Sequence, residues 1–151
     1  MRLPIQVSIF IVRLKPDGDR EYLLLHRVLP RLSFWQPVTG GVESGETIEQ
    51  TARRELIEET GFLPDDLQPI GFTYTFPPDE FFKAVYETLP DEIAVHVFVA
   101  SVMSGSEPKI DAVEHDEYIW YTYGEALDIL YWWDDKESLK QVAAFLKRTQ
   151  Q

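Results

Sequence analysis

Short apolar bursts alternate with polar, turn-forming stretches along this chain, and the period of each burst predicts its element. Residues 5–14 (IQVSIFIVRL) and 21–28 (EYLLLHRV) read as two β-strands. Lys15-Pro16-Asp17-Gly18-Asp19 lies between them and supplies turn chemistry, so the pair predicts a hairpin. A shorter extended piece over 35–42 ends in Gly40-Gly41. Residues 47–60 turn charged and helical, without Gly or Pro, and Gly61 provides a stop. Residues 67–76 and 93–103 are again rich in β-branched and aromatic side chains. Between them, 77–91 carries three prolines and several charges and predicts a loop.

Residues 118–121 predict a last strand, followed by helices over 124–131 and 136–147. The second of these carries Leu139, Val142, Ala143 and Leu146 on one face. Strands interleaved with one central and two terminal helices predict an α/β layered fold, a mixed sheet covered by helices. No repeat or long linker divides the chain, so residues 1–151 are expected to form one domain.

Charge narrows the function classes. Twenty-six acidic residues against fourteen basic ones give a net charge of −12. Such a surface repels a phosphate backbone, which argues against general nucleic-acid binding. A small phosphorylated ligand remains acceptable if a cation neutralises the contact zone. The absence of cysteine excludes disulfides, thiolate metal sites and thiol nucleophiles, and fits a cytoplasmic location. The N-terminal apolar run is interrupted by Gln6 and Ser8, and no small-residue cleavage site follows it. Nothing approaches the ~20 apolar residues of a membrane span, so no membrane partner is expected.

The chemistry concentrates in Arg54-Glu55-Leu56-Ile57-Glu58-Glu59. At about 100° per residue, Glu55, Glu58 and Glu59 share an arc of roughly 100° on one helix face. Ile48, Ala52 and Leu56 form an apolar stripe beside them. An acidic helix face is ordinarily just solvated, and Glu49 with Arg53 has the look of such a surface pair. Glu55 and Glu59 differ, because like charges one turn apart repel by about 0.2–0.5 kcal/mol. A hard cation such as Mg²⁺, which prefers carboxylate oxygen, would turn that repulsion into binding.

From Gly40 the chain runs GGVESGETIEQTARRELIEETGF: a glycine, five residues, Glu46, seven residues, then Arg54 through Phe62. This resembles the signature of the Nudix hydrolase family, G-x5-E-x7-R-E-U-x-E-E-x-G-U, with U an aliphatic residue. Every fixed position matches; only Phe62 departs, being aromatic. The resemblance implies a Nudix-type α/β/α sandwich and hydrolysis of a phosphoanhydride bond with Mg²⁺, or Mn²⁺ in its stead. It also implies metal ligation by Glu55, Glu58, Glu59 and the Gly40 carbonyl. Arg54 would orient the helix carboxylates, or in the plainer reading simply pair with Glu58. Glu46 would stabilise the loop-to-helix junction, and Glu58 is the expected general base.

Outside that signature the chain looks most like the dihydroneopterin triphosphate and dATP pyrophosphohydrolase branch. The likeness rests on 34–40 (FWQPVTG), Glu114-His115, Tyr118-Ile119-Trp120 and Trp133-Asp134. It implies a fourth carboxylate ligand in Glu114, otherwise a surface loop acid, and substrate contacts from Arg27 and Thr39. Phe34, Trp35, Trp132 and Trp133 could stack on a purine or pterin ring, or simply pack. The expected ligand is a nucleotide or pterin triphosphate, with a homodimer as an option the sequence leaves open. Pro77, fifteen residues past the signature, instead resembles a marker of ADP-ribose pyrophosphatases. ADP-ribose or nucleoside-diphosphate-sugar hydrolysis is therefore the enzymatic alternative, and a catalytically silent ligand sensor the non-enzymatic one.

Overall fold

The computed structural model describes residues 1–149 apart from 31, 80, 81, 83, 84 and 87. Part of the loop predicted over 77–91 therefore lies outside the described residues. Among the described residues seven strands and three helices follow in the order β1 (Arg2–Leu14), β2 (Arg20–Leu29), β3 (Leu32–Gln36), β4 (Val38–Glu43), α1 (Ile48–Thr60), β5 (Leu67–Phe76), β6 (Ile93–Val102), β7 (His115–Tyr121), α2 (Tyr123–Ile129) and α3 (Trp133–Thr149).

All seven strands join one mixed sheet in which β1 runs parallel to β6 and antiparallel to β2 and β4. The expected short strand over 35–42 is two strands. Pro37, which has no N–H to give a ladder, marks the break. Before it, β3 pairs with β2 (Leu25 opposite Gln36); after it, β4 pairs with β1 (Ile9 opposite Val38). The partner switch turns the chain toward the site and sets Gly40 and Gly41 opposite Val7 and Gln6 of β1.

Period-two alternation distributes the core over both faces of the sheet. Val7, Ile9, Ile11, Leu23, Leu25, Phe98 and Ala100 meet Ala52 and Leu56 of α1. Phe10, Val12, Tyr22, Leu24, Val97 and Val99 meet Ala126 of α2, Leu130 just after it, and Leu139, Val142 and Leu146 of α3 on the other face. The result is the α/β/α sandwich. Each fully buried aliphatic side chain contributes about 1.5–3 kcal/mol from burial.

α1 begins where the sequence says it should. Thr47 caps it, its hydroxyl accepting from Gln50 N at 3.1 Å while the Gln50 side chain accepts from Thr47 N at 2.8 Å. Gly61 ends it at φ 73°, a left-handed conformation that favours glycine. Other boundaries differ from expectation: β1 starts at Arg2 rather than at residue 5, and α2 ends at Ile129 rather than at residue 131. β7 starts at His115 because Glu117 and its neighbours pair with β2 while remaining polar on their outer side. α3 starts at Trp133, its acidic first turn suiting a helix N-terminus. Among the described residues no helix is long and apolar enough to cross a membrane.

Candidate active site

Arg54 organises the start of the site. Its Nε and Nη2 donate to the two oxygens of Glu46 at 2.7 and 2.9 Å, and Nη2 also reaches the Gly41 carbonyl at 3.2 Å. Its Nη1 donates to Glu55 Oε1 at 2.8 Å and Glu58 Oε2 at 3.3 Å. One guanidinium thus ties the loop, strand β4 and helix α1 into a single unit. Its forked bonds hold Glu46 down at about 2, so that side chain stays ionised. Glu46 also accepts from Glu43 N at 3.0 Å and the Thr51 hydroxyl at 3.0 Å, which secures the junction before the helix.

The three helix glutamates are not equivalent. Glu58 is exposed, Glu55 half-buried, and Glu59 only 4% exposed. Both carboxyl oxygens of Glu59 are buried without a hydrogen-bond partner. Burial first, and then the charges of Glu55 and Glu114, raise the Glu59 carboxyl well above the ordinary carboxylate range. Burial likewise raises Glu55, against the opposing charge of Arg54. Gly40 lies directly against Glu55, so close that a Cβ there would overlap the Glu55 carboxyl. An unsatisfied buried carboxylate among further acids is costly alone and becomes favourable around a divalent cation. The oxygen donor set therefore fits a hard ion such as Mg²⁺.

Glu114 arrives from the loop between β6 and β7. That loop is fastened at Glu107, which accepts from Arg13 Nη1 at 2.6 Å, Tyr118 Oη at 2.9 Å and Trp120 Nε1 at 3.2 Å. Ligand atoms of Glu59, Glu114 and His115 all lie within 4.8 Å of one another. His115 is buried, and burial followed by the charge of Arg27 pushes it down to about 4, so it is neutral. The Gln36 amide nitrogen lies 3.0 Å from its Nε2. An amide N–H must donate there, which leaves the ring proton on Nδ1, 3.9 Å from Glu59 Oε1. His115 consequently turns a protonated Nδ1 toward Glu59, beyond hydrogen-bond reach, and offers no free lone pair there to a metal.

A cleft of about 920 Å³ opens beside Glu55 and Glu114, with Glu59 and His115 outside its lining. Glu55, Glu114, Gly40, Thr39 and Arg27 line it, as do Phe34, Trp132, Tyr74, Phe76 and Pro77. Arg27 Nη1 sits 3.6 Å from Glu114 Oε2. Strand alternation brings Phe34 and Gln36 to the cleft and turns Trp35 away, against His26 and Tyr121 with ring centroids at 4.9 and 5.7 Å. Trp35, expected to contact substrate, therefore lies outside the cleft lining, whereas Phe34, 5.5 Å from Trp132, lies within it. Trp133 is 71% exposed and also lies outside the cleft lining. Glu58 is likewise not among the cleft-lining residues or the Glu59–Glu114–His115 group.

Four site residues escaped the sequence reading: Arg2, Gln36, His115 and Asp135. Gln36 and His115 lie inside quoted motifs, and their buried contact couples those motifs across the fold. Asp135 follows Trp133-Asp134, but nothing local signals that it is 6% exposed at the cleft wall. Arg2 has no sequence signal, since strand pairing alone brings it beside Gly41.

The chain is 34% identical over 140 residues to an octanoyltransferase of Myxococcus xanthus, covering 91% of this chain and 36% of that protein. It is 29% identical over 137 residues to the dihydroneopterin triphosphate diphosphatase of Escherichia coli K12, covering 89% and 90% of the two. The solved structure of a NUDIX hydrolase from Listeria monocytogenes matches with a TM-score of 0.83 at 26% identity, over 97% of both chains. The chain spans less than half the length of the first curated relatives it matches. The NUDIX domain family matches residues 4–142, from the first strand into α3 and across every element that builds the site. The chain belongs to the Nudix hydrolase family.

Proposed function

We propose that this domain is a magnesium-dependent pyrophosphohydrolase acting on a nucleoside triphosphate-like substrate, of dATP or dihydroneopterin triphosphate type, and releasing pyrophosphate. The observation that carries the reading is the buried Glu59 carboxylate, whose two oxygens lack any donor, beside Glu55 and Glu114. Glu55, Glu59 and Glu114, with the Gly40 carbonyl, would hold Mg²⁺ or Mn²⁺, and Glu58 would join them or remain free. A bound ion would neutralise phosphate charge and lower the pKa of an attacking water.

The chain's own residues do the rest. Arg54 fixes the carboxylates through its bonds to Glu55 and Glu58. Glu58, the exposed member, takes the proton of the attacking water. Arg27 and Thr39 hold the phosphate chain in register, so that water meets one phosphorus rather than several. Phe34 and Trp132 at the cleft wall offer stacking to a purine or pterin ring. The dihydroneopterin triphosphate diphosphatase likeness over nine-tenths of both chains supports the same substrate type.

Pro77 in the cleft lining favours a second reading, hydrolysis of ADP-ribose or a nucleoside-diphosphate sugar. Product analysis on a panel of dATP, other nucleoside triphosphates, dihydroneopterin triphosphate and ADP-ribose separates the two. Pyrophosphate from a triphosphate supports the first reading, and preference for ADP-ribose with release of AMP and ribose 5-phosphate supports the second. A protein that binds these compounds with Mg²⁺ and turns over none would be a sensor.

A further inference from the structure

Among the described residues, two arginines line the cleft, and they are differently committed. Arg27 sits 3.6 Å from Glu114. Arg2 has no ion pair with any described carboxylate, in a chain with a net charge of −12. Its Nε is buried and has no hydrogen-bond partner. A buried donor without a partner lowers the stability of the fold, so a seat that keeps one calls for a role for the rest of the guanidinium at the cleft.

The seat of Arg2 is nevertheless built. A Cβ on Gly41 would fall on the Arg2 Nε and Cζ, so the bare glycine is what admits the guanidinium. Its Cζ lies 5.8 Å from the centre of the Tyr86 ring, and the Tyr86 hydroxyl donates to Leu3 O at 2.9 Å. Successive strand residues face opposite ways, so Gly40 and Gly41 vacate both faces of β4. One vacancy receives the acid Glu55 and the other the base Arg2. The Gly-Gly pair thus seats an acid and a base that both reach the lining of the one cleft.

We propose that Arg2 is an anion clamp, binding phosphoryl oxygens of the ligand's phosphoanhydride chain next to the carboxylates. A planar guanidinium held in one orientation suits a phosphate with two parallel N–H···O bonds. The inference rests on the proposed reading only in requiring a phosphoanhydride ligand, which either of the two substrate readings supplies.

The test is calorimetric titration of inorganic pyrophosphate in Mg²⁺ into the full chain and into the variants Arg2→Gln, Arg2→Lys and Gly41→Ala, with separate Mg²⁺ titrations and thermal melts. Arg2→Gln is expected to weaken pyrophosphate binding at least about tenfold while Mg²⁺ affinity and the melting midpoint hold, as loss of a charge-assisted pair requires. Arg2→Lys should recover part of the loss, and Gly41→Ala, which evicts the guanidinium without touching its charge, should reproduce most of it. Pyrophosphate binding within twofold of wild type in a folded Arg2→Gln protein overturns the clamp, as does a wild type that fails to bind pyrophosphate. Wild type that shows the expected variant series but hydrolyses ADP-ribose rather than triphosphates supports the clamp and overturns the triphosphate reading.

Discussion

Gly40 and Glu55 compete for one volume: the space of a Cβ on Gly40 is filled by the Glu55 carboxyl and its Cγ. Gly40 has no positive φ, so its backbone conformation does not by itself require glycine. The contact does. In Gly40→Ala the flexible end of Glu55 has to move, while β4 keeps its pairing with β1. We expect Mg²⁺ affinity and turnover to fall by about 10–100-fold, the range for losing the support of a ligand. The melting midpoint of the chelated protein should change little. A variant that unfolds, or one with normal Mg²⁺ binding, would show that the contact has another role.

Glu59 makes a sharper case, because its burial reverses the sign expected for a surface acid. With chelator present, Glu59→Gln replaces an acid that can be lodged beside Glu55 and Glu114 only by holding a proton, so it should melt at or above wild type. With Mg²⁺ present the order should invert. An ion at a hundred times its dissociation constant stabilises the native state by about 2.7 kcal/mol, and the variant would forgo most of it. Turnover should drop by more than about a hundredfold, beyond the loss of a supporting partner. Melts of both proteins with and without Mg²⁺ test the crossing, and parallel curves would remove Glu59 from the metal set.

The helix that carries these glutamates was readable because its signals are local. Thr47 and Gln50 form the cap, Gly61 the stop, and Arg54 lies eight residues from the Glu46 it binds. What could not be read depends on strand partners. Glu55, Glu58 and Glu59 share a helix face, yet only docking on the sheet decides that Glu59 is the buried one. Phe34 and Trp35 are adjacent aromatics, and alternation guarantees that one faces the cleft without saying which. Arg2 meets Gly41 through the β1–β4 pairing, across a separation that no motif bridges.

That aromatic assignment has a direct consequence. Trp132 lines the cleft and is 44% exposed, so Trp132→Ala should raise KM for the preferred triphosphate with a small effect on stability. Loss of a stacking contact worth about 0.5–1.5 kcal/mol corresponds to roughly a 2- to 12-fold rise. Trp35 packs against the α2–α3 core cluster and Tyr121. Trp35→Ala should therefore cost about 2–4 kcal/mol of stability, somewhat below a fully buried ring, and leave KM near wild type in the folded fraction. Steady-state kinetics with denaturant melts distinguish the two, and a KM effect confined to Trp35 would restore it to the substrate site.

Asp135 gives the chain a pH-dependent stability that owes nothing to metal. Its carboxyl is 6% exposed at the cleft wall, and burial, followed by the charge of Asp134, pushes it up to about 7. In the unfolded chain the same group titrates near 3.9. Between those values the native state keeps a proton that the unfolded state has released. Stability therefore falls as pH rises from about 4 to about 7, and is level above that. The full difference is at most about 4 kcal/mol, from roughly three pH units at 1.36 kcal/mol each. Asn at this position is nearly isosteric and cannot ionise, so Asp135→Asn should gain stability over wild type at pH 8 and little at pH 5. Urea unfolding of both proteins at pH 5, 6, 7 and 8 in chelator measures the gap, with contributions common to the two cancelling. A gap that widens steadily up to about pH 7 identifies Asp135 as its source. One that stays constant across the range would mean that the carboxyl is solvated or paired in solution.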